Sequence, residues 1–289
     1  MGGKITIMDE PGSHISVVIP TCDRPSALYA AVESVLNQTR SPVEILIMDN
    51  GTTGVQAMQF PAVVAVHRLA PHVGPSRARN AGAAIAKAAY VAFLDDDDLW
   101  DENYLNECER IIGREMPNCI IGSMRVIKDG APRQIFTTRQ GTVIEVGLQD
   151  ILPGDWISGS NVVVRRSRFL EVSGYAEDLR WGEDVGLVVD LLRRGGGRVL
   201  ASPLSRMHYM QHTGPRLTDR RHVLEGVTAF YGKYTAVLPL VSRFYYLMRI
   251  YRERARKDLC LLCYLVSKGY RVLHRLFSLG RSRIVCRFI

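Results

Sequence analysis

The first half of the chain consists of apolar blocks of strand length separated by polar turns and by stretches of helical periodicity. Ile15 to Pro20 and Val43 to Met48 are continuous apolar runs, and each ends in polar turn residues. Between them, apolar residues recur at helical spacing from Ser26 to Gln38, which predicts an amphipathic helix. Continuous apolar runs are typical of strands buried on both faces of a parallel sheet.

The alternation of strands and helices continues to residue 201, with an irregular stretch of weak strand character from Gln134 to Asp155. Such alternation predicts a doubly wound α/β sheet with right-handed crossovers. Further strands are predicted at Val63–Val66, Tyr90–Leu94, Cys119–Ile127, Asn161–Val164 and Arg198–Ala201, and helices at Ser76–Ala89, Glu102–Arg114, Arg166–Val172 and Gly182–Arg194.

Polar clusters follow three of the predicted strands at the point where each strand ends. They are Thr21 to Asp23, Asp49, and the run Asp95 to Asp98. In open α/β sheets, ligands bind beyond the carboxyl ends of the strands. The three clusters are therefore expected to form one site.

The acidic run Asp95 to Asp98 places four carboxylates in succession directly after a buried strand. Their mutual repulsion would be relieved by Mg²⁺ or Mn²⁺, which prefer oxygen ligands and often bind through one or two carboxylates plus substrate phosphates. A solvated turn or a helix N-terminus would also accommodate acids. The run alone leaves both interpretations open.

A second pair of acids, Glu183 and Asp184, follows Trp181 and Gly182 at the predicted start of a helix. The helix dipole keeps carboxylates ionised at this position, and an ionised carboxylate can accept the proton of an attacking hydroxyl. The alternative is a helix cap.

Two further segments carry groups suited to anions. Pro75 to Gly82, which includes Arg79, combines cations with a helix N-terminus, a setting that binds phosphates or serves as an ordinary surface helix. His212 could ligate a metal ion or bind a diphosphate, or it could have a structural role.

Five sequence segments follow one another along the chain: SVVIPTCDRP at 16–25, ILIMDNG at 45–51, SRARNAG at 76–82, FLDDDDLW at 93–100 and GEDVGLVVDLLRRGG at 182–196. In this order they resemble glycosyltransferase family 2. The resemblance implies a GT-A catalytic domain over residues 14–215, with a Rossmann-like mixed sheet flanked by helices. It also implies a nucleotide-diphospho-sugar donor, with UDP as the default, and inversion at the anomeric carbon.

The resemblance also assigns roles to individual residues. Asp184 is implied as the catalytic base, with Glu183 beside it. Asp97 is implied as the direct ligand of Mn²⁺ or Mg²⁺, and His212 as a helper at the metal and diphosphate. Nucleotide-sugar contacts are implied for Pro20, Thr21, Asp23, Asp49, Arg79, Asp95, Asp96 and Trp181.

The C-terminal part of the chain is much more basic than the rest. The 289 residues carry a net charge of +8, and residues 243–289 alone hold 12 Lys and Arg against 2 acids. Residues 216–289 are predicted to form a basic, amphipathic helical extension. Such helices suit an anionic membrane surface. Packing on the catalytic domain is the alternative, and nucleic-acid binding is disfavoured.

Location and function follow as expectations. No apolar stretch reaches the roughly 18–20 residues that span a bilayer, no secretory pattern opens the sequence, and the six cysteines are scattered. We expect a cytoplasmic protein, peripheral on the inner face of the membrane if the extension binds there. The expected reaction is sugar transfer to a hydroxyl acceptor, lipid-linked or saccharide, in polysaccharide, glycolipid or other glycoconjugate biosynthesis.

Two other functions remain open. A nucleotidyltransferase that makes the sugar nucleotide would share the sheet and the metal acids. It would normally need a Gly-rich loop after the first strand, and Thr21 to Pro25 contains no glycine. A non-catalytic GT-A-like binding protein is the other alternative, and the presence of Asp97 and Asp184 argues against it.

Overall fold

A computed structural model gives the three-dimensional structure of the chain. It describes residues 13–55, 60–151, 156–194, 196–211, 220–258, 260–278 and 284–288. The strands are β1 (Ile15–Thr21), β2 (Glu44–Asp49), β3 (Val64–Arg68), β4 (Tyr90–Phe93), β5 (Leu99–Trp100), β6 (Cys119–Lys128), β7 (Ala131–Thr138), β8 (Ile144–Glu145), β9 (Val162–Arg165), β10 (Val199–Gln211) and β11 (Ile284–Phe288). The helices are α1 (Pro25–Leu36), α2 (Pro75–Ile85), α3 (Tyr104–Glu115), α4 (Arg166–Glu171), α5 (Glu183–Arg194), α6 (Arg220–Tyr234), α7 (Leu240–Asp258) and α8 (Leu261–Ser278).

The strands form one mixed sheet in the order β11-β7-β6-β9-β4-β1-β2-β3. β1 to β4 are parallel to their neighbours within this group, whereas β9 runs antiparallel to both β4 and β6. β10 pairs in parallel with β6 and carries the two short strands β5 and β8. The predicted α/β fold of the GT-A type, a mixed sheet flanked by helices, is confirmed.

Both faces of the central strands are buried, which explains their continuous apolar sequences. Val17 and Ile19 of β1 point into a core shared with α1 and α3. Val18, between them, points into a second core on the other face, which includes residues of α2, α4 and α5. Successive side chains of a strand point to opposite faces, so a strand between two helical layers needs apolar residues throughout.

Helix α2 lies unusually close to the sheet because of its small residues. A side chain at Gly82 would place its Cβ 2.4 Å from Cγ1 of Val18. Any larger residue would push the helix away from β1. This close packing fixes the position of Arg79, which lies one turn before Gly82.

Two strands differ from the sequence-based expectation. Gln134 to Asp155 was expected to be largely irregular, but β7 is a strand of 8 residues that begins before this segment. β10 has 13 residues and extends well beyond the predicted Arg198 to Ala201. A register shift between Ser202 and Arg206 interrupts its pairing with β6. Because of this irregularity, the sequence does not show that the strand is one continuous element.

The C-terminal extension contains the predicted helices and also a strand that was not predicted. α6 and α7 pack around an aromatic cluster in which Phe230 lies 4.8 Å from Tyr246, measured between ring centroids. β11 pairs antiparallel with β7, from Ile284 opposite Thr138 to Phe288 opposite Gln134. The predicted boundary between residues 215 and 216 lies outside the described residues. The extension thus contributes to the same sheet as the catalytic domain.

Candidate functional site

The polar clusters after β1 and β4 meet at the carboxyl edge of the sheet, as their positions predict. The hydroxyl of Thr21 donates a hydrogen bond of 2.7 Å to Asp96. Pro20, Thr21 and Asp96 line a small cleft of about 160 Å³, together with Cys22, Arg24, Asn50, His72, Gly74 and Pro75.

The four aspartates of the acidic run have different surroundings. Burial raises the pKa of Asp96 to about 6, although Thr21 and Arg24 stabilise its charged form. Burial also raises the pKa of Asp98 well above its usual range, and this carboxylate accepts hydrogen bonds from Ser160 (2.6 Å) and from the backbone amide of Met210 (3.1 Å). Asp95 and Asp97 are the more exposed members of the run, and both line the main pocket.

Arg24 bridges two of these aspartates. Its Nη1 lies 3.2 Å from a carboxylate oxygen of Asp96 and 2.8 Å from one of Asp97. The guanidinium therefore balances negative charge at the position where the sequence predicts a metal ion.

Arg79 connects the acidic run to the second acidic pair. Its Nη2 lies 2.5 Å from Asp95, and its Nη1 lies 3.6 Å from Glu183 and 3.8 Å from Asp184. The guanidinium also stacks over the ring of Tyr175, 5.0 Å from the centroid. Its side chain is only 3% exposed, so among the described residues these contacts compensate its charge.

Close approach of the backbone at Gly159 completes the surroundings of Arg79. A side chain at Gly159 would place its Cβ 2.5 Å from Nη2 of Arg79. Glycine is therefore needed there for the guanidinium to occupy its position.

Glu183 and Asp184 occupy the first turn of α5, directly after Gly182, whose φ is +75°. Burial raises the pKa of Asp184 well above its usual range, and the adjacent Glu183 charge raises it further, while Arg79 lowers it. Among the described residues, Oδ1 of Asp184 is buried without a hydrogen-bond partner, and its nearest cation is Nη1 of Arg79 at 3.8 Å. A carboxylate of raised pKa with an oxygen that makes no hydrogen bond is suited to accepting a proton.

The two acidic groups face the same pocket, which has a volume of about 450 Å³. One end is polar and carries Asp95, Asp97 and Asp184, with Arg79 between them. Another part of the lining comes from β6, β7 and β10 and is mostly apolar and aromatic; it contains Met124, Val126, Gln134, Phe136 and Tyr209. The pocket thus offers a charged end for an anionic group beside a wall suited to a less polar molecule.

Asp23 and Asp49 both bind the loop that follows β2. Asp23 accepts hydrogen bonds from the backbone and side chains of Thr52 and Thr53, and these bonds, led by the Thr53 amide, lower its pKa to about 2. Asp49 is buried, accepts hydrogen bonds of 2.9 Å from the amides of Gly51 and Val55 in this loop, and pairs with Arg68 at 2.5 Å. Their contacts with a nucleoside stay predictions, and in this structure the two carboxylates order the loop.

Trp181 lines the pocket but also faces the C-terminal extension. Its ring packs edge-on against Phe230 (5.9 Å) and Tyr246 (6.3 Å), and the guanidinium of Arg249 lies 4.6 Å from its centroid. Helices α6 and α7 therefore support this wall of the pocket, whatever contact Trp181 makes with a donor.

Only some of the residues predicted to bind a metal ion are among the described residues. His212 lies outside the described residues, and within them no group of three or more His, Cys, Asp or Glu is placed to hold a metal ion. The pocket-facing carboxylates of Asp95 and Asp97 fit a cation that takes its remaining ligands from the phosphates of a bound nucleotide, a common arrangement for Mg²⁺.

Sequence reasoning missed three residues of the site. Arg24 could have been noticed as a cation in the turn after β1. Ser160, which binds Asp98, and Tyr175, which stacks on Arg79, come from distant segments with no recognisable motif. Only the fold brings them to the acidic residues.

Comparison with known proteins identifies the family. The sequence model described as "Glycosyl transferase family 2" matches residues 16–169, more than half of the chain. The chain belongs to glycosyl transferase family 2. The match spans β1 to α4 and includes the acidic run, while Glu183 and Asp184 of this family 2 chain lie beyond it.

Two curated relatives and one solved structure illustrate the similarity. An uncharacterised glycosyltransferase of Haemophilus influenzae is 26% identical over 190 residues, 62% of each chain. The poly(ribitol-phosphate) beta-N-acetylglucosaminyltransferase TarP of Staphylococcus aureus is 32% identical over 146 residues, 47% of this chain and 44% of TarP. The alignments cover less than two thirds of either relative.

The fold is shared with TarS of Staphylococcus aureus. The crystal structure of TarS 1-349 in complex with UDP-GlcNAc superposes with a TM-score of 0.62 and 16% sequence identity, over 92% of each chain. This similarity shows a common architecture that extends well beyond the segment matched by the family.

Proposed function

We propose that this protein transfers a sugar from a nucleotide-diphospho-sugar to a hydroxyl acceptor, with inversion at the anomeric carbon. The observation that carries the proposal is the single pocket in which Arg79 links Asp95 of the acidic run to Asp184 of α5. UDP-sugars are favoured as donors, because TarS was crystallised with UDP-GlcNAc and TarP is a beta-N-acetylglucosaminyltransferase. The product would belong to a polysaccharide, a glycolipid or another glycoconjugate.

In the proposed reaction, Asp184 removes the proton of the acceptor hydroxyl. The acceptor oxygen then forms a bond to the anomeric carbon while the bond from that carbon to the diphosphate oxygen breaks. The proton remains on Asp184, and the electron pair leaves with the diphosphate. Because one displacement occurs from the face opposite the leaving group, the anomeric configuration inverts.

Arg79 has a positioning role in this proposal. It holds Asp95 at 2.5 Å and faces Asp184 at 3.8 Å, so it keeps the donor side and the acceptor side of the pocket at a fixed separation. Its positive charge also limits the rise in the pKa of Asp184. Without it, the pKa of this base would be higher still, and a larger fraction of it would be protonated at a given pH.

Asp97 would bind Mn²⁺ or Mg²⁺ together with Asp95 and the donor phosphates, and Asp96 would face the nucleotide from the adjoining cleft. The bound cation would neutralise charge on the departing diphosphate. Arg24, which now pairs with Asp96 and Asp97, is placed to take part in the same charge balance. His212 is proposed as a further ligand.

A panel of nucleotide sugars tests the function directly. Incubation with Mn²⁺ and candidate hydroxyl acceptors is expected to release nucleoside diphosphate from at least one donor, and NMR of the product is expected to show the inverted anomer. Release of pyrophosphate from a nucleoside triphosphate and a sugar phosphate would instead identify a nucleotidyltransferase. A donor that raises the melting temperature without turnover would indicate a binding protein.

Substitution of Asp97 tests the proposed cation site. Asp97→Asn is expected to weaken donor binding in the presence of Mn²⁺ by at least about tenfold, or 1.4 kcal/mol. Binding without Mn²⁺ is expected to change little, because the lost ligand acts through the cation. Calorimetric titration with and without Mn²⁺ measures both values.

Asp178→Asn is the matched control, because Asp178 is an exposed carboxylate paired with Lys233 outside the pocket. It removes the same charge and is expected to leave donor affinity unchanged. Equal donor affinity of Asp97→Asn and the unmodified protein in Mn²⁺ would refute the metal assignment.

A further inference from the structure

The last two described helices form a hairpin that packs on itself along one side. α8 returns along α7, with Tyr251 stacked on Tyr270 at 5.8 Å and Phe244 lying 6.2 Å from the same ring. Ser267 on this inner side is buried. We call α7 and α8 together the basic hairpin.

The outer side of α8 is apolar and exposed. Leu261 and Leu262 are each 69% exposed, Leu265 is 56% exposed and Val272 is 57% exposed. Residues 262, 265 and 272 follow helical spacing, so they form one stripe along the helix. Four large apolar side chains on one helix face form a patch of the kind that marks an interaction site.

Positive charge lies beside this apolar stripe. The basic hairpin, residues 240–278, contains nine Lys and Arg against two acids. Arg252, Arg256 and Arg271 line a cleft of about 390 Å³ between the two helices, beside Leu261 and Tyr264. Glu253 pairs with both Arg252 (3.3 Å) and Arg256 (3.1 Å), so one carboxylate is shared between two guanidinium groups.

We infer that the basic hairpin docks on an anionic membrane surface. The exposed leucines of α8 enter the boundary between headgroups and acyl chains, while the arginines of the cleft contact lipid phosphates. Amphipathic helices with this division of apolar and cationic residues lie in the plane of the membrane interface. In the part of the chain that the structure describes, no helix is both long enough and apolar enough to cross a bilayer.

The observations favour a membrane over other occupants. A second copy of this chain would bring two strongly cationic hairpins together, at a cost in like-charge repulsion. A nucleic acid would match the charge but would leave the stripe of Leu262, Leu265 and Val272 without an apolar partner. An anionic lipid surface satisfies both the charge and the apolar stripe.

Docking would also orient the pocket. Tyr246 and Arg249 of α7 pack on Trp181, which lies in the wall of the pocket next to Glu183 and Asp184. If the proposed function is correct, and on that condition only, docking keeps the acceptor side of the site close to acceptors held at a membrane surface.

Vesicle flotation of the full chain tests the docking. We expect the protein to float with vesicles made of equal parts phosphatidylcholine and phosphatidylglycerol, to remain at the bottom with phosphatidylcholine alone, and to dissociate at high salt. The double variant Leu262→Glu, Leu265→Glu is expected to reduce the floated fraction at least tenfold. The charge variant Arg256→Gln, Arg271→Gln, which removes two cations of the cleft, is expected to reduce it to a smaller extent.

Met116→Glu, Leu170→Glu is the matched control, because these apolar residues are also exposed but lie on α4 and at the end of α3. It is expected to float like the unmodified protein, and circular dichroism verifies that all variants are folded. Failure of the unmodified protein to float, or equal flotation of the Leu262 and Leu265 variant, would overturn the inference. So would a dimer in solution that this variant dissociates.

Nucleoside diphosphate release in vesicle-free solution separates this inference from the proposed function. The Leu262 and Leu265 variant is expected to retain that release. If the Leu262 and Leu265 variant no longer floats but still releases nucleoside diphosphate, docking is supported. If no variant releases nucleoside diphosphate but the unmodified protein still floats, the result counts against the proposed enzyme and leaves docking supported.

Discussion

Asp184→Asn is expected to lower the rate of sugar transfer by about 10²- to 10⁴-fold, the usual contribution of a general base. The amide is nearly the same size as the carboxylate, so the pocket keeps its shape. It cannot accept the proton of the acceptor hydroxyl. Donor affinity is expected to survive, because the acidic run and the cleft beside Thr21 are untouched.

Steady-state kinetics and calorimetry on the same preparation test this prediction. A large fall in kcat with a donor Kd close to that of the unmodified protein is the expected pair of results. Glu183→Gln is the comparison variant, because it removes a neighbouring carboxylate of the same turn. If Glu183→Gln loses more activity than Asp184→Asn, the base is Glu183.

The pH profile gives a second readout for the same variant. Burial and the Glu183 charge raise the pKa of Asp184, and the carboxylate must be deprotonated to act as a base. The rate of the unmodified protein should therefore fall as pH decreases through this raised pKa. The remaining activity of Asp184→Asn should lack that decrease.

Arg79→Met is expected to destabilise the fold by about 3–5 kcal/mol, the usual cost of removing one partner from a buried ionic group. The change leaves Asp95, Glu183 and Asp184 without their shared cation. Burial raises the pKa of Asp184 and Arg79 lowers it, so removal of Arg79 should raise this pKa further. Because protonation of Asp184 removes its unpaired charge, the loss in free energy of unfolding should be smaller at pH 5 than at pH 8.

Arg77→Met is the matched control for this experiment. Arg77 lies on the same helix, but its side chain is 61% exposed and it pairs with the exposed Glu177. Surface ion pairs of this kind contribute about 0–1 kcal/mol. Denaturant unfolding of both variants measures the difference, and equal destabilisation by the two substitutions would show that the Arg79 network has no special role.

Much of the donor side of the site could be predicted from the sequence, because its residues follow strands. Continuous apolar runs locate β1, β2 and β4, and the parallel arrangement brings their ends together. Thr21 and Asp96 are 75 positions apart, and their hydrogen bond follows from this rule. The prediction that Asp184 lies in the same pocket depends on the family resemblance as well as on the residues themselves.

The contacts that link the two sides of the site could not be predicted. Arg79 was recognised as a residue suited to an anion, but its bridge to Asp95 and Asp184 depends on how closely α2 approaches the sheet at Gly82. Arg24 is a single arginine in a turn, and the sequence around it gives no sign of its partners. Such contacts depend on tertiary packing rather than on local sequence patterns.

The strand β11 was missed for a related reason. Its pairing with β7 joins residues 284–288 to residues 134–138. Nothing in the sequence of either segment indicates which residues of the other lie opposite it. β7 itself mixes polar and apolar residues, so its sequence gives only weak strand character.

The pairing of β11 with β7 has a consequence for biogenesis. Gln134 and Phe136 of β7 line the pocket, and β11 covers the free edge of this strand. Until residues 284–288 have been synthesised, the nascent protein presents an open sheet edge beside its own site. Open edges invite pairing with other chains. Folding on the ribosome therefore includes a long-range step in which this edge becomes protected.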